Sequence, residues 1–255
     1  MSLCQPNSTE SISAPVHVAN EFNNFFTGIP GKLREGIPFD PGGLPPRVMS
    51  AIKLEPVTEY EISQIVNNFK NKSTQDTQIS ALKIANSYIS FRNVLSHIIN
   101  KSFDEGLFPE DLKVAKVIPI HKGGLKTQVS NYRQISLLCT MSKIYQKCMR
   151  KRVIEFLDRS SALYENQHGF RPGRSCEQAL LSLTAQNTLT KSLSKKQVSL
   201  LLMIDFSKAF DVLPHDMILH KLEHYGIRGN ALNWFRTYLC NRTQFVSVDG
   251  HNSAC

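Results

Sequence analysis

The 255-residue sequence lacks both a long hydrophobic run and a paired-cysteine motif. Its longest unbroken apolar stretch is Leu200–Ile204, far short of the ~20 residues that a membrane-spanning helix needs. The N-terminus has neither a basic start nor an apolar core, so no signal peptide is predicted. The six cysteines are scattered without a C-x-x-C pair. This pattern favours a reduced intracellular protein, in the cytoplasm or nucleus, over a disulfide scaffold or a zinc site.

Apolar residues make up 41% of the chain, which is enough for a packed core and excludes a wholly disordered protein. The net charge of +9 is concentrated in one block of the sequence. Residues 101–198 contain 17 Lys and Arg against 8 Asp and Glu, whereas the segments on either side are each neutral. Because clustered cations gain most from counterion release, this block favours a polyanion partner over an ordinary solvated face.

The chain is predicted to have an α+β fold in three regions. Residues 1–57 are predicted to form a linker around one short helix, Val16–Phe26, followed by Gly- and Pro-rich sequence that breaks regular structure. Residues 58–113 are predicted to be a helical lead-in that begins with a capping box, in which Thr58 precedes Glu61 by three positions. Residues 114–255 mix strands and helices.

The strand predictions depend on short β-branched segments. Val114–His121 predicts a strand at an edge or bulge, because Pro119 has no N–H to donate. Tyr132–Leu138 can return beside it as a second strand. Thr243–Val248 predicts a last strand that ends in a hairpin turn, and the sequence stops so soon afterwards that this strand is expected to have no partner.

A helix is predicted from about residue 142 to 157, with a basic stripe opposite its apolar side. Lys143, Lys147, Arg150 and Lys151 stand at i, i+4, i+7 and i+8. A solvated helix face explains this stripe at least as well as a binding surface does.

Val198–Ile204 is predicted to be a fully buried strand, because it is a short apolar run between polar boundaries. Such a strand would deliver Asp205 at its C-terminal end, where α/β proteins collect functional groups. Carboxylate oxygens are the ligands that Mg²⁺ prefers. Taken alone, Asp205 is better explained as a cap on the next turn, and only the surrounding sequence reverses this balance.

Four motifs follow one another in a recognisable order. They are NYRQISLL (131–138), QHGFRPGRS (167–175), DFSKAFDVLPHDMILHKLEHYGIRG (205–229) and YLCNRTQFVSVDG (238–250). With the spacing Asp205-x-x-x-Ala209-Phe210-Asp211, they resemble the reverse transcriptases of non-LTR (LINE-type) retrotransposons. The resemblance runs from about residue 114 to the end, and residues 51–113 resemble the helical lead-in of the same proteins. Each motif alone is weak evidence for the family, and the resemblance depends on all four motifs occurring in the family's order.

The resemblance implies the fold and the chemistry. The helical N-terminal region would precede the fingers and the first part of the palm of a right-hand polymerase. The parent activity would be RNA-directed DNA polymerisation, a Mg²⁺-dependent nucleotidyl transfer. Its partners would be an RNA template, a DNA primer and deoxynucleoside triphosphates (dNTPs), with no membrane involved.

The resemblance also implies roles for particular residues. Asp205 would be the catalytic residue and the ligand of two Mg²⁺ ions. The ring of Phe210 would exclude a ribose 2′-hydroxyl and so select deoxynucleotides, although a plain core phenylalanine is the alternative. Lys122 and Arg133 would bind the incoming triphosphate, which suits cations on a Gly-rich hairpin.

Two further arginines are implied to lie along the template. Arg171 and Arg174 precede a predicted helix, which Ser175 and Gln178 cap. A solvated basic loop is an equal alternative for this pair. Asp211 belongs to the same motif as Asp205 but is expected to have a structural role, such as capping the following turn.

The sequence departs from the family pattern in two places. Gln134 stands where the family usually has proline, in N-Y-R-P-I-S. Beyond Gly250 nothing resembles the Q-G loop or the aromatic-x-Asp-Asp hairpin of the family, and no adjacent Asp pair occurs in the sequence. Since one carboxylate cannot hold two Mg²⁺ ions, the 255-residue chain alone is expected to be an inactive fragment. The alternatives are a non-catalytic, RNA-binding remnant or domesticated fragment, and a remnant that never folds.

Overall fold

The computed structural model describes residues 3–4, 11–12, 14–34, 44, 47–69, 77–185, 192, 194–198, 200–206, 208–210 and 213–255. The helices are α1 (Pro15–Arg34), α2 (Glu59–Asn67), α3 (Thr77–Ala85), α4 (Ile89–Glu105), α5 (Thr140–Arg159), α6 (Cys176–Ala185), α7 (His215–His224) and α8 (Asn230–Leu239). The strands are β1 (Leu3–Cys4), β2 (Ser11–Ile12), β3 (Val114–His121), β4 (Tyr132–Leu138), β5 (Thr243–Val248) and β6 (His251–Asn252). Helices and strands therefore mix as an α+β fold. Among the described helices, none is both long and apolar enough to cross a membrane.

The four-stranded sheet has the order β4-β3-β5-β6. β3 and β4 form an antiparallel hairpin, β3 and β5 pair in parallel, and β5 turns back into β6 through Asp249 and Gly250. The expectation that the last strand would lack a partner is therefore wrong. The parallel contact with β3, more than a hundred residues away in sequence, supplies a neighbour that the local pattern does not reveal.

Pro119 lies in an interior strand rather than in an edge strand, which corrects the prediction for β3. The parallel pairing with β5 covers only Val114–Val117. At Pro119 the strand pairs with Gln134 of β4, and no other described strand pairs with it there. Proline is tolerated there because the side of the strand without a neighbour needs no N–H donor.

Helix α1 is longer than the predicted Val16–Phe26 and continues through Pro30 to Arg34. Its inner face buries Val18, Phe22 and Phe26 in one cluster with residues of β3, β4 and β5. The ring of Phe22 meets the edge of the Tyr132 ring at 4.9 Å between centroids. The prediction that the Gly- and Pro-rich sequence breaks regular structure is therefore wrong for residues 28–34, where Ile29 is buried in the same cluster. The division of the chain at residues 57 and 113 stays a prediction.

A second core joins α2, α4, α5 and α8. Trp234 is its centre: the indole makes edge contacts with Phe103 and Phe108 and donates from Nε1 to the Ser102 hydroxyl at 3.1 Å. The predicted cap of α2 is confirmed, since the Thr58 hydroxyl accepts from the Glu61 N–H at 3.2 Å. The carboxylate of Glu61, however, does not complete the capping box and pairs with Arg152 of α5.

The predicted buried strand Val198–Ile204 is wrong. The described residues of this segment form no regular structure, and the apolar side chains face solvent, with Val198 99% and Leu200 96% exposed. A strand exists only where a neighbouring strand satisfies its backbone N–H and C=O groups. The four strands β4, β3, β5 and β6 pair with one another, and none pairs with this segment in the part of the chain that the structure describes.

We expect Gly226→Ala to lower the free energy of unfolding by about 1–3 kcal/mol, because its backbone is left-handed and a side chain adds strain there. Its φ is 91°, and a Cβ atom would lie 2.5 Å from the carbonyl oxygen of Ser50 and 2.8 Å from the ring of Phe156. Gly28→Ala is the matched control. A Cβ at Gly28 in α1 meets nothing within 4 Å. Because alanine favours a helix interior over glycine, we expect Gly28→Ala to raise the free energy of unfolding by about 0.5–1 kcal/mol. Urea unfolding followed by circular dichroism measures both, and equal effects would contradict this account.

Candidate active site

The β3–β4 hairpin positions two cations at one end of the sheet. Lys122 follows the last residue of β3, and its N–H closes the hairpin by donating to the Asn131 carbonyl at 2.9 Å. Arg133 is the second residue of β4 and is paired with Ile120. Gly124 has a φ of 81°, and a Cβ there would lie 2.6 Å from the Asn131 amide. The turn of this hairpin thus depends on glycine, and both cations remain exposed beside it.

The segment around residues 205–210 brings Asp205 and Phe210 to the same region. Both side chains are exposed, Phe210 by 78%. The Phe210 ring meets the edge of the Phe170 ring at 5.8 Å between centroids. Lys208, between the two, places its ammonium 5.0 Å from the Phe25 ring centroid in α1. Lys208 and Phe170 both have left-handed backbones, with φ of 52° and 61°, a conformation that residues with side chains rarely adopt.

One cleft of about 660 Å³ collects four of the predicted site residues: Lys122, Arg133, Asp205 and Phe210. Lys122 and Arg133 come from the β3–β4 hairpin, whereas Asp205 and Phe210 come from a segment more than seventy residues further along the sequence. Its other described lining residues are Phe26, Ile29, Tyr132, Gln134, Phe206, Lys208 and Ala209. The volume is that of a small-molecule site.

The charges in this cleft favour an anion. Lys122, Arg133 and Lys208 contribute three cations, and Asp205 is the one carboxylate among the described lining residues.

Tyr132 donates its hydroxyl to the Lys126 carbonyl at 2.9 Å, and burial raises the pKa of this phenol. The phenol therefore stays a neutral hydrogen-bond donor at physiological pH.

The cleft does not contain a complete metal site within the described residues. No group of three or more His, Cys, Asp or Glu side chains with metal-binding geometry occurs in that part of the chain. Asp205 offers one carboxylate, whereas hard divalent cations take six or more oxygen ligands, and two such ions need several carboxylates. Asp211, which was expected to cap a turn, lies outside the described residues.

The arginine pair predicted for the template lies in a separate cleft of about 850 Å³. Arg171 donates to the Tyr164 carbonyl at 3.1 Å and pairs with Asp158 at 3.6 Å. Arg174 is exposed and lines the same cleft. The predicted cap that follows is confirmed, since Ser175 and Gln178 bond reciprocally at 3.2 Å. The structure therefore does not bring these arginines into the cleft of Asp205.

Sequence reasoning missed the wall that α1 contributes. Phe26 and Ile29 line the cleft, and the helical spacing of apolar residues in α1 indicates a buried face without indicating its partner. Lys208 was also missed, although it lies within the motif that contains Asp205 and Phe210. A cation three residues after the carboxylate is the signal that could have identified it.

Comparisons with known proteins agree with the resemblance in the motifs. The family described as reverse transcriptase (RNA-dependent DNA polymerase) matches residues 120–254, slightly more than half of the chain. The chain is 30% identical over 161 residues to an RNA-directed DNA polymerase from mobile element jockey of Drosophila melanogaster. The aligned region covers 63% of this chain and 17% of that protein.

Two further relatives come from the same fly. One is a probable RNA-directed DNA polymerase from transposon BS, 28% identical over 161 residues, or 60% of this chain and 17% of the relative. The other is a probable RNA-directed DNA polymerase from transposon X-element, 31% identical over 109 residues, or 42% of this chain and 12% of the relative. The chain thus spans less than a fifth of the length of each of these three relatives.

Proposed function

Since the chain belongs to the reverse transcriptase (RNA-dependent DNA polymerase) family, we propose that it is the fingers and the first part of the palm of an RNA-directed DNA polymerase from a non-LTR retrotransposon. The parent reaction is template-directed incorporation of dNTPs into a DNA primer on RNA. The observation that carries the proposal is the shared cleft of Lys122, Arg133, Asp205 and Phe210. We place the activity inside the cell, in the cytoplasm or nucleus.

Lys122 and Arg133 bind the triphosphate of the incoming nucleotide. A triphosphate carries several negative charges, and the two exposed cations lie on a hairpin that can approach it from one side. Arg133 presents a planar fork of N–H donors suited to phosphate oxygens, while Lys122 adds a compact positive charge. Lys208, in the same cleft, adds to the positive potential.

Phe210 lies against the sugar of this nucleotide. Its exposed ring lines the cleft beside Asp205, and the contact with Phe170 restricts its orientation. A ring held at that position excludes a ribose 2′-hydroxyl by steric overlap. The Phe210 side chain is 78% exposed, which argues against the alternative that it is a plain core phenylalanine.

Asp205 supplies one carboxylate to the metal site of the polymerase. The described residues do not by themselves form a site for the Mg²⁺ ions of this reaction, so no catalytic step follows from them alone. Among the described residues that line the cleft, no second carboxylate accompanies Asp205. Its proposed contribution is to hold negative charge where the triphosphate and its cation meet.

Arg174 is the stronger candidate of the arginine pair for the template. Arg171 is already engaged by Asp158 and by the Tyr164 carbonyl. Arg174 forms no ion pair with any described residue and is exposed. An exposed arginine that no described carboxylate pairs with is suited to a backbone phosphate, which fixes the position of the strand without reading its sequence.

A non-catalytic, RNA-binding fragment is the second candidate function. The observation that favours it is the excess of cations in residues 101–198. Such a protein would bind RNA in a salt-dependent manner without binding dNTPs in the cleft. Nucleotide binding therefore separates the two candidates.

We expect Arg133→Gln to weaken binding of a fluorescently labelled dNTP by about 10–100-fold, because a charge-assisted hydrogen bond contributes about 1.5–3 kcal/mol. Fluorescence anisotropy measures the affinity. Arg236→Gln is the matched control, since this arginine is exposed on α8, outside the described lining of the cleft, and the charge change is the same. Unchanged binding by Arg133→Gln, or an equal loss in both variants, would refute triphosphate binding in the cleft.

A further inference from the structure

The outer face of α5 carries a cluster of cations that the proposed nucleotide site does not use. Lys143 is half-buried and Lys147 and Arg150 are exposed, at i, i+4 and i+7 on one side of the helix. None of the three lines the cleft of Asp205. The opposite side of α5 is buried in the core that contains Trp234, with Ile144, Cys148 and Met149 among its members. We call Lys143, Lys147 and Arg150 the α5 basic face.

These three cations form no ion pair with any described residue, whereas several other cations of the fold do. Ion pairs join Lys53 to Glu55, Lys101 to Glu105, Lys113 to Glu110, Arg47 to Glu223 and Arg171 to Asp158. No Asp or Glu stands three or four positions from any member of the α5 basic face. Like charges at this spacing destabilise a helix.

Lys147 lies between the other two cations along the helix. Burial lowers the pKa of Lys147, and the neighbouring charges of Arg150 and Lys143 lower it further. The Lys147 ammonium also lies 4.2 Å from the centroid of the Phe69 ring, and this contact restricts where the lysine side chain points. Lys151, the remaining cation of the predicted stripe, differs from them because it pairs with Glu61 at 3.9 Å.

We propose that Lys143, Lys147 and Arg150 bind backbone phosphates of the nucleic acid on which the polymerase acts, at a contact separate from the nucleotide cleft. The proposal rests on the proposed function for its partner. Seven residues of helix span about 10 Å, which is about three base-pair steps of 3.4 Å measured along the axis of a duplex. A bound phosphate chain neutralises all three cations at once and relieves their repulsion.

The chemistry of α5 favours a polynucleotide over a membrane. A helix that lies on a lipid surface must insert an apolar face, and the apolar face of α5 is buried in the core. The regular spacing of the cations matches a partner whose charges repeat along a line. An acidic protein is the remaining class of partner, and a poly-glutamate probe tests it.

The test is the salt dependence of RNA binding by the whole 255-residue chain. The probe is a fluorescein-labelled single-stranded RNA of about 20 nucleotides, a length that exceeds one binding site. Affinity is measured by anisotropy between about 50 and 200 mM KCl. In the variant with Lys143→Gln, Lys147→Gln and Arg150→Gln, we expect at least about tenfold weaker binding at the lowest salt and a salt slope smaller by about 2, since each single-strand contact contributes about 0.7.

Two control variants separate this surface from general charge and from misfolding. Lys53→Gln, Lys101→Gln and Lys221→Gln together remove the same charge from exposed positions dispersed over the fold and should leave the slope nearly unchanged. Lys143→Arg, Lys147→Arg and Arg150→Lys together keep the charge and should retain RNA affinity. Thermal unfolding by circular dichroism checks that every variant folds.

The proposal is overturned if the dispersed variant loses as much affinity as the α5 variant. It is also overturned if poly-glutamate of equal charge binds as tightly as RNA and responds equally to the substitutions. Labelled dNTP binding distinguishes this failure from failure of the proposed function. The α5 variant should bind labelled dNTP with normal affinity. The Arg133→Gln variant should bind dNTP more weakly, but the salt dependence of its RNA binding should be unchanged.

Discussion

Glu61→Ala is expected to lower the free energy of unfolding by about 3–5 kcal/mol, because it removes one partner of a buried ion pair. The Arg152 side chain is 5% exposed and donates to both carboxylate oxygens of Glu61, at 2.8 and 3.1 Å. It also donates to the carbonyls of Glu55 and Cys148, at 2.5 and 2.9 Å. Without Glu61 the guanidinium stays buried among neutral groups. Urea unfolding followed by circular dichroism measures the loss.

Glu55→Ala is the control for this prediction. The Glu55 carboxylate is largely exposed and pairs with an exposed lysine, Lys53, at 3.2 Å. Exposed pairs of this kind contribute about 0–1 kcal/mol. A double variant, Glu61→Ala with Arg152→Met, should recover part of the stability, because it removes the stranded charge. Similar losses for Glu55→Ala and Glu61→Ala would show that burial of the pair is unimportant.

The 255-residue chain is expected to add no nucleotide to a DNA primer on an RNA template, even with Mg²⁺ and all four dNTPs. Asp205 is the one carboxylate among the described lining residues of the cleft, and a two-metal site needs further carboxylate ligands to offset the repulsion between the ions. Primer extension with products resolved on a denaturing gel measures this directly. Processive extension by the chain that Asp205→Ala abolishes would contradict the expectation.

A longer polypeptide that joins this chain to further carboxylate motifs provides the converse test. In such a protein, Asp205→Asn should reduce extension to the level without enzyme, because the amide keeps the shape and loses the charge that binds a metal ion. Asp216→Asn is a matched control on α7, outside the described lining of the cleft. Equal loss in both variants would remove the special role assigned to Asp205.

The local signals of the sequence were reliable where a motif is self-contained. The caps at Thr58 and Ser175 are formed by residues three positions apart, and both are confirmed. The β3–β4 hairpin is confirmed because Gly123 and Gly124 set its turn and both strands lie next to it. Four of the residues that the family resemblance singled out line one cleft, although they lie far apart in the chain, and their roles stay predictions.

Only the tertiary structure decided which distant segments meet. The parallel pairing of β3 with β5 and the packing of α1 against the sheet both join segments about a hundred residues or more apart. The cleft wall from Phe26 and Ile29 follows from that packing. The wrong prediction for Val198–Ile204 has the same origin: apolar composition fixes a tendency to be buried, whereas a strand also needs a hydrogen-bonding neighbour. The sequence by itself determined the family motifs, caps, turns and apolar faces, because these depend on residues close in the chain. Strand partners and cleft walls depend on contacts that no local pattern contains.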